Sequence, residues 1–206
     1  MPTTVNELIK KFDLPESKVV KWKETISTEK EGIYIVSLSK DPELNSGILE
    51  EIPISKNIID KWIQKVNGFE LDKVLTFDKD LIIERLSEFW LPDENIVYIG
   101  KAPIRSNGKG IGNRVREFYK TEYGEKRPHA GGHWIKSLSN LNDLYVHYIL
   151  CDNSGDLEIK LLKQFIDNIS DKSKRKLRDK ELMLPFANLE LKKGQIKKHG
   201  LGKMKK

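Results

Sequence analysis

The sequence predicts an α+β fold. Short segments rich in β-branched residues, typical of buried strands, lie at residues 32–38, 95–99 and 144–150. Segments with apolar residues at helical spacing precede, separate and follow them. At 206 residues the chain can bury one sizeable core but is short for two independent domains. We therefore expect one domain that carries elaborations.

Residues 1–30 are predicted to form an N-terminal helical arm. Apolar residues at helical spacing between Val5 and Phe12 predict a first short helix, and residues 19–22 suggest a second. The pair resembles half of a helix-turn-helix, but nearby acids balance the lysines here, which favours an arm packed on the main domain. The main domain is expected to span residues 31–190.

Residues 41–93 are predicted to form a mostly helical, acidic insertion between the first two strands. Apolar residues from Ile54 to Val66 follow the spacing of an amphipathic helix, and a second helix is expected at about residues 80–89. The insertion could serve as a lid, a dimerisation surface or a specificity element. The second of these roles would make the protein a homodimer.

The second half of the chain alternates loops with regular elements. After the second strand we predict a glycine-rich loop at residues 102–112, a helix at about 113–122, and a later helix capped by Ser154. Residues 191–206 carry seven lysines and no acid. We expect them to form a disordered basic tail.

Charge is distributed unevenly along the chain. Residues 1–100 hold 13 basic and 19 acidic side chains, a balance of −6, whereas residues 101–206 hold 24 and 12, a balance of +12. Residues 101–136 alone hold nine basic and three acidic side chains. Clustered Lys and Arg release counterions from phosphates, so the asymmetry favours nucleic acid as the partner, with DNA preferred and RNA left open.

Composition excludes several classes of protein. No stretch approaches the roughly 18 consecutive apolar residues of a bilayer-spanning helix, so no membrane partner is expected. The N-terminal segment has the pattern of neither a secretion signal nor a transit peptide, which predicts the cytoplasm. Cys151 is the single cysteine, which excludes an internal disulfide framework and a zinc knuckle.

Two tripeptides on the first two strands carry a specific resemblance. The first strand reads Gly32-Ile33-Tyr34 and the second reads Tyr98-Ile99-Gly100. Together with the polar residues that follow them in order, they resemble the GIY-YIG nuclease superfamily. The resemblance implies a small, mostly antiparallel central sheet flanked by helices, and an endonuclease that hydrolyses phosphodiester bonds. The residues it places in the site are Tyr34, Tyr98, Lys101, Arg114, Glu158 and Asn188.

The resemblance also implies roles for the two tyrosines. Tyr34 would accept a proton from the attacking water, and Tyr98 would hydrogen-bond that water or the phosphate. Free tyrosine has a pKa near 10, so Tyr34 needs a neighbouring cation that favours its phenolate. Lys101, directly after the second signature strand, is the cation we expect there.

The remaining site residues are expected to hold the phosphate and a metal ion. Arg114 would grip the scissile phosphate through its planar fork. Glu158 would be the protein ligand of one divalent ion, because a carboxylate completed by waters and phosphate oxygens suits Mg²⁺, with Mn²⁺ as a substitute. Asn188 would support the geometry by hydrogen bonding.

The sequence departs from the family pattern in two places. Sixty-three residues separate Tyr34 from Tyr98, where the family usually has about ten. Phe118 stands one helical turn beyond Arg114, where the family often has histidine or tyrosine. The polar groups considered as replacements are His129, His133 and Tyr119.

Nucleic-acid contacts are expected from the basic segment around the arginine-bearing helix. Gly108, Gly110 and Gly112 are interpreted as a loop that lies along a DNA backbone. A restriction-like or defence nuclease is one expected role. A non-catalytic nucleic-acid-binding module of the same fold, and an interaction protein that uses the acidic insertion, are the alternatives. The candidate backbone-binding residues are Arg105, Lys109, Arg116, Lys120 and Arg127.

Overall fold

The structure is a computed structural model that describes residues 2–125 and 132–205. Its strands are β1 (Lys18–Lys21), β2 (Gly32–Ser37), β3 (Phe69–Leu71), β4 (Val74–Thr76), β5 (Ile96–Ala102), β6 (Tyr145–Leu150), β7 (Glu190–Lys192), β8 (Gln195–Ile196) and β9 (Leu201–Gly202). Its helices are α1 (Val5–Lys10), α2 (Lys56–Val66), α3 (Lys79–Ser87), α4 (Ile111–Lys120), α5 (Gly132–Lys136), α6 (Ser154–Asn168) and α7 (Asp171–Lys176). None of these helices combines the length and apolarity that a bilayer crossing requires.

A four-stranded sheet forms the centre of the molecule. Its strands lie in the order β1-β6-β2-β5, and each pairs antiparallel with its neighbours. Every residue of β2 is buried. Helices cover both faces of this sheet, which confirms the predicted α+β class with a small antiparallel central sheet flanked by helices.

The two faces of the sheet pack against different helices. Tyr34, Val36 and Tyr98 point to the face covered by α4, in a cluster with Val115 and Phe118. The alternate residues belong to the opposite cluster, which includes side chains of α1 and α6. This alternation follows from the two-residue repeat of a strand.

The predicted N-terminal helical arm is only half correct. α1 forms as expected, and its first turn is fixed by a capping box between Thr4 and Glu7. The second helix predicted at residues 19–22 does not form, and Lys18–Lys21 instead form the edge strand β1, which pairs with β6. Two adjacent β-branched residues, Val19 and Val20, fit a half-buried edge strand better than a helix.

The insertion contains the two predicted helices, α2 and α3, and also a hairpin that was not predicted. The strands β3 and β4 are joined by Asp72 and Lys73, which both have positive φ, 49° and 73°. This is the conformation of a two-residue hairpin turn, but Asp-Lys lacks the glycine that usually marks it.

The C-terminal segment is ordered, so the prediction of a disordered tail is wrong. β7 and β8 form a hairpin, and β9 pairs with β3 of the insertion. We call residues 195–205 the C-terminal strap. Trp62 of α2 donates through Nε1 to the Met204 carbonyl at 2.9 Å, and Leu201 is buried. The strap therefore ties the insertion to the main domain.

Candidate active site

Tyr34 and Tyr98 lie side by side on the α4 face of the central sheet. In the register of β2 and β5, Tyr34 is opposite Gly100 and Val36 is opposite Tyr98. The ring centroids are 5.8 Å apart, and the two side chains hydrogen-bond each other. Tyr34 is completely buried, whereas 8% of Tyr98 is exposed. Tyr98 is thus the one that reaches the surface.

Gly100 leaves the room that both rings occupy. A Cβ at this position would lie 2.5 Å from Cε1 of Tyr98, 2.6 Å from Cζ of Tyr34 and 2.8 Å from its hydroxyl oxygen. Gly32 is equally constrained, because a Cβ there would collide with the Ile149 carbonyl of β6. Packing therefore requires glycine at both positions, because a Cβ at Gly32 or Gly100 would collide with neighbouring atoms.

Asn188 completes the outer edge of β5. Its Oδ1 accepts from the Ile99 N–H at 2.9 Å, and its Nδ2 donates to the Ile99 carbonyl at 2.7 Å. The neighbouring Ala187 N–H donates to the Val97 carbonyl at 2.9 Å. Residues 187–188 thus satisfy backbone groups that an edge strand leaves open, and they fix β5 at Val97 and Ile99, on either side of Tyr98.

Arg114 is placed by the start of α4. The Glu29 carboxylate accepts from the N–H groups of Gly110 at 2.8 Å and Asn113 at 3.1 Å. Gly112 donates its N–H to the Thr28 carbonyl at 2.9 Å. The N–H groups of Gly110 and Gly112 are therefore bonded within the protein and are not available to the phosphates of a DNA backbone.

Glu158 of α6 forms an ion pair with Lys101 of β5. Lys101 Nζ lies 2.9 Å from Glu158 Oε2, and the side chains are 41% and 15% exposed respectively. Burial raises the pKa of Glu158 above its usual value, and the Lys101 ammonium opposes this shift. The pair holds a carboxylate whose charge is only partly compensated, as at many functional sites.

The expectation that Lys101 activates Tyr34 is wrong. Lys101 pairs with Glu158 instead, and the cation that acts on Tyr34 is Arg114. Burial raises the pKa of Tyr34 to about 12, although Arg114 and the hydrogen bond with Tyr98 both lower it. Burial and the neighbouring Tyr34 raise the pKa of Tyr98 as well. Both phenols are therefore protonated at neutral pH in the protein alone.

One pocket of about 280 Å³ beside β5 collects most of the predicted site. Tyr34 lies beneath its wall, in contact with Tyr98. The residues predicted for the site that line it are Tyr98, Lys101, Arg114, Glu158 and Asn188. Sequence reasoning missed a further part of the wall, the β7–β8 hairpin with Glu190, Lys192 and Lys193. The Lys193-Gly194 pair was a turn signal that could have revealed it.

Phe118 gives the site an apolar floor. Its ring centroid lies 5.0 Å from that of Tyr98 and 5.9 Å from that of Tyr34. His133 does not replace the missing polar group, because its Nε2 is bonded to the Glu125 carbonyl at 2.9 Å and its ring packs on Trp62. Burial lowers the pKa of His133 to about 4.

Tyr119 does not supply this group either. Tyr119 packs its ring on Trp22 at 4.8 Å and lines a separate groove with Arg116 and Lys120. His129, like the candidate DNA-binding residue Arg127, lies outside the described residues.

The predicted backbone-binding residues fall into two groups. Lys109 and Lys120 are exposed on the surface. Arg105 forms a double ion pair with Glu117, both bonds at 2.6 Å, which lowers the pKa of that carboxyl to about 2. Arg116 Nη2 lies 4.0 Å from Glu29 Oε1, at the limit of an ion pair. Of the four described candidates, Lys109 and Lys120 are therefore the better suited to bind phosphate.

The donor set tests whether a metal ion fits this pocket. Within residues 2–125 and 132–205, no cluster of three or more His, Cys, Asp or Glu side chains could enclose an ion. Two of the described carboxylates line the pocket: Glu158, which is paired with Lys101, and Glu190, whose Oε1 accepts from the Gly194 N–H at 3.0 Å. This set fits Mg²⁺ or Mn²⁺ held mainly by waters and substrate phosphate oxygens.

The arrangement is suited to bind a phosphate group. A guanidinium, an ammonium and a carboxylate share a small pocket whose wall includes a phenol. Comparison with protein-family models, curated proteins and solved structures finds no match for this chain.

Proposed function

We propose that this protein is a metal-dependent endonuclease that hydrolyses DNA phosphodiester bonds. The observation that carries the proposal is the meeting of Arg114, Glu158 and Tyr98 in one pocket, from three different elements of the fold. Phosphodiester hydrolysis needs a held phosphate, a positioned water and charge stabilisation at the leaving oxygen. The residue order that resembles the GIY-YIG superfamily supports the same reaction.

Each side chain has a task that its surroundings support. Arg114 binds the scissile phosphate, and Tyr98, at the surface of the pocket, orients the water. Lys101 favours the ionised form of Glu158, which a metal ligand requires. A divalent ion at Glu158 would bring positive charge that stabilises the leaving oxygen and favours the Tyr34 phenolate.

A nicking assay with matched variants tests the proposal. Supercoiled plasmid and short duplexes are incubated with Mg²⁺, with Mn²⁺ and with chelator. We expect nicking that needs the metal, and a loss of about a hundredfold or more in Glu158→Gln, which keeps the shape but not the charge. Glu190→Gln is the control, because that carboxylate lines the same pocket but bonds the hairpin backbone.

The second candidate function is a nucleic-acid-binding module without catalysis. One observation favours it: Tyr34 is fully buried, with its pKa raised to about 12. This candidate predicts tight, salt-sensitive binding of DNA or RNA, with no metal-dependent nicking by the unmutated protein. That result would overturn the nuclease proposal, and an RNA duplex in the same assay reports the preferred nucleic acid.

A further inference from the structure

The β7–β8 hairpin forms one side of the proposed active-site pocket. Glu190, Lys192 and Lys193 line the pocket together with Arg114 and Glu158. The hairpin packs against α6, the helix that carries Glu158, whereas Arg114 comes from α4 on the other face of the sheet. The pocket is thus bounded by α4 on one side and by the hairpin with α6 on the other.

The hairpin is anchored at both ends and at its turn. Leu191 is buried in the cluster that includes α6. The Lys197 N–H donates to the Leu189 carbonyl at 2.8 Å, directly after β8. The Glu190 carboxylate accepts from the Gly194 N–H at 3.0 Å, and Gly194 has a φ of +86° that closes the turn. Lys192 and Lys193 are therefore presented from a fixed position.

These two lysines differ from the other lysines nearby. Lys198 pairs with Glu181 at 2.6 Å, and Lys203 pairs with Glu70 at 3.4 Å. Lys192 and Lys193 are exposed and form no ion pair with the carboxylates that the structure describes. Two uncompensated ammonium groups thus stand at the edge of a pocket already suited to a phosphate.

We propose that Lys192 and Lys193 bind the backbone phosphates that flank the scissile phosphate on the cleaved strand. This inference rests on the proposed nuclease function, and it adds a surface that holds the substrate strand from the side of α6. Lysine contacts to phosphate give affinity without sequence information. The hairpin is therefore a site of non-specific strand binding.

Salt-dependent binding of a short fluorescein-labelled duplex tests this inference. Anisotropy is measured in chelator, where no cleavage occurs, over a range of salt concentrations. Each phosphate contact contributes about 0.9 to the slope of log affinity against log salt, so Lys192→Ala/Lys193→Ala should lower that slope by about 1.8. Lys192→Arg/Lys193→Arg should restore it, because arginine also binds phosphate.

The control removes the same charge elsewhere. Lys198→Ala/Lys203→Ala loses two lysines that are paired outside the pocket, and we expect a much smaller change in slope. Thermal melts verify that both double variants fold. A slope for the hairpin variant equal to that of the wild type or of the control would overturn the inference.

The result separates the two proposals. Reduced slope in the hairpin variant, with no nicking by the wild type, supports strand binding and overturns the nuclease. Metal-dependent nicking with an unchanged slope supports the nuclease and overturns strand binding. Where both hold, nicking by the hairpin variant should show a raised KM with kcat nearly unchanged, since these contacts act before and during the reaction alike.

Discussion

The pocket beside β5 and the junction of the insertion with the C-terminal strap each contain a largely buried charged side chain, Glu158 and Arg85 respectively, but Arg85 has the more complete set of partners. Arg85 of α3 binds both carboxylate oxygens of Asp72, at 2.7 and 3.1 Å, and the His199 carbonyl at 3.1 Å. Glu88 adds a further ion pair at 2.9 Å. This guanidinium is committed to joining the insertion and the strap.

In the pocket, by contrast, Glu158 has one cation at ion-pair distance among the described residues, and the Lys101 backbone and the charge of Arg114 also lower its pKa. Glu158 pairs with Lys101, which remains 41% exposed. A buried charge with a complete set of partners serves structure, whereas an incompletely compensated one facing a cavity is available for a ligand. Because Glu158 is less completely partnered than Arg85, we propose ligand binding for the pocket and a structural role for the contact between the insertion and the strap.

Lys197 of the strap is intermediate between Arg85 and Glu158, because it has hydrogen-bond partners that do not fully compensate its burial. It is buried, and its ammonium nitrogen donates to the carbonyls of Pro185 and Phe186, both at 2.9 Å. The rings of Phe89 and Trp134 also lie near it. Desolvation outweighs these contacts and lowers its pKa to about 7. The strap thus binds the backbone of Pro185 and Phe186, just before Asn188, through a lysine whose pKa is lowered by burial.

Gly100→Ala should break the pocket and give the largest effect. The new Cβ would collide with both tyrosine rings, which the core holds on every side. We expect a loss of about 3 kcal/mol in the free energy of unfolding, measured with urea, and loss of nicking. Gly155→Ala is the control, because a Cβ there meets nothing within 4 Å. Equal stability of the two variants would contradict the packing argument.

Lys197→Met should change how stability depends on pH. Between about pH 7 and 10.5 the folded protein has lost a proton that the unfolded chain keeps, so the wild type gains stability as the pH rises. The slope approaches about 1.4 kcal/mol per pH unit. The variant lacks this gain, and urea unfolding at pH 7 and pH 9 measures the difference. A stability of the wild type minus that of the variant that stays constant or falls from pH 7 to pH 9 would contradict the prediction.

The central fold was predictable because its signals are local. The β-branched strand at Gly32–Ser37 and the helical spacing in Lys56–Val66 both lie in the sequence itself. The strap was not predictable, since its order comes from contacts with distant residues, such as Leu201 beside Leu71. Composition alone indicated a solvated lysine tail and could not show which lysine is buried.

The site was predictable as a set of residues but not as a set of contacts. Residue order indicated Glu158 and Arg114, and both line the pocket. The partner of Lys101 depends on which face of β5 each side chain occupies. Lys101 is opposite Ile33, not Tyr34, in the sheet register, so it points to the α6 face and meets Glu158.

Lys101→Met should give the smallest effect, a shift in the pKa of Glu158. Lys101 lowers that pKa against the effect of burial, so its removal should raise the pKa of Glu158 further. Carboxyl NMR of the metal-free protein measures the shift. Lys192→Met is the control, because Lys192 lines the same pocket without pairing to Glu158. A fall in the pKa, or equal shifts in both variants, would mean that Glu158 is compensated by other groups and that the contrast with Arg85 is smaller than the contacts indicate.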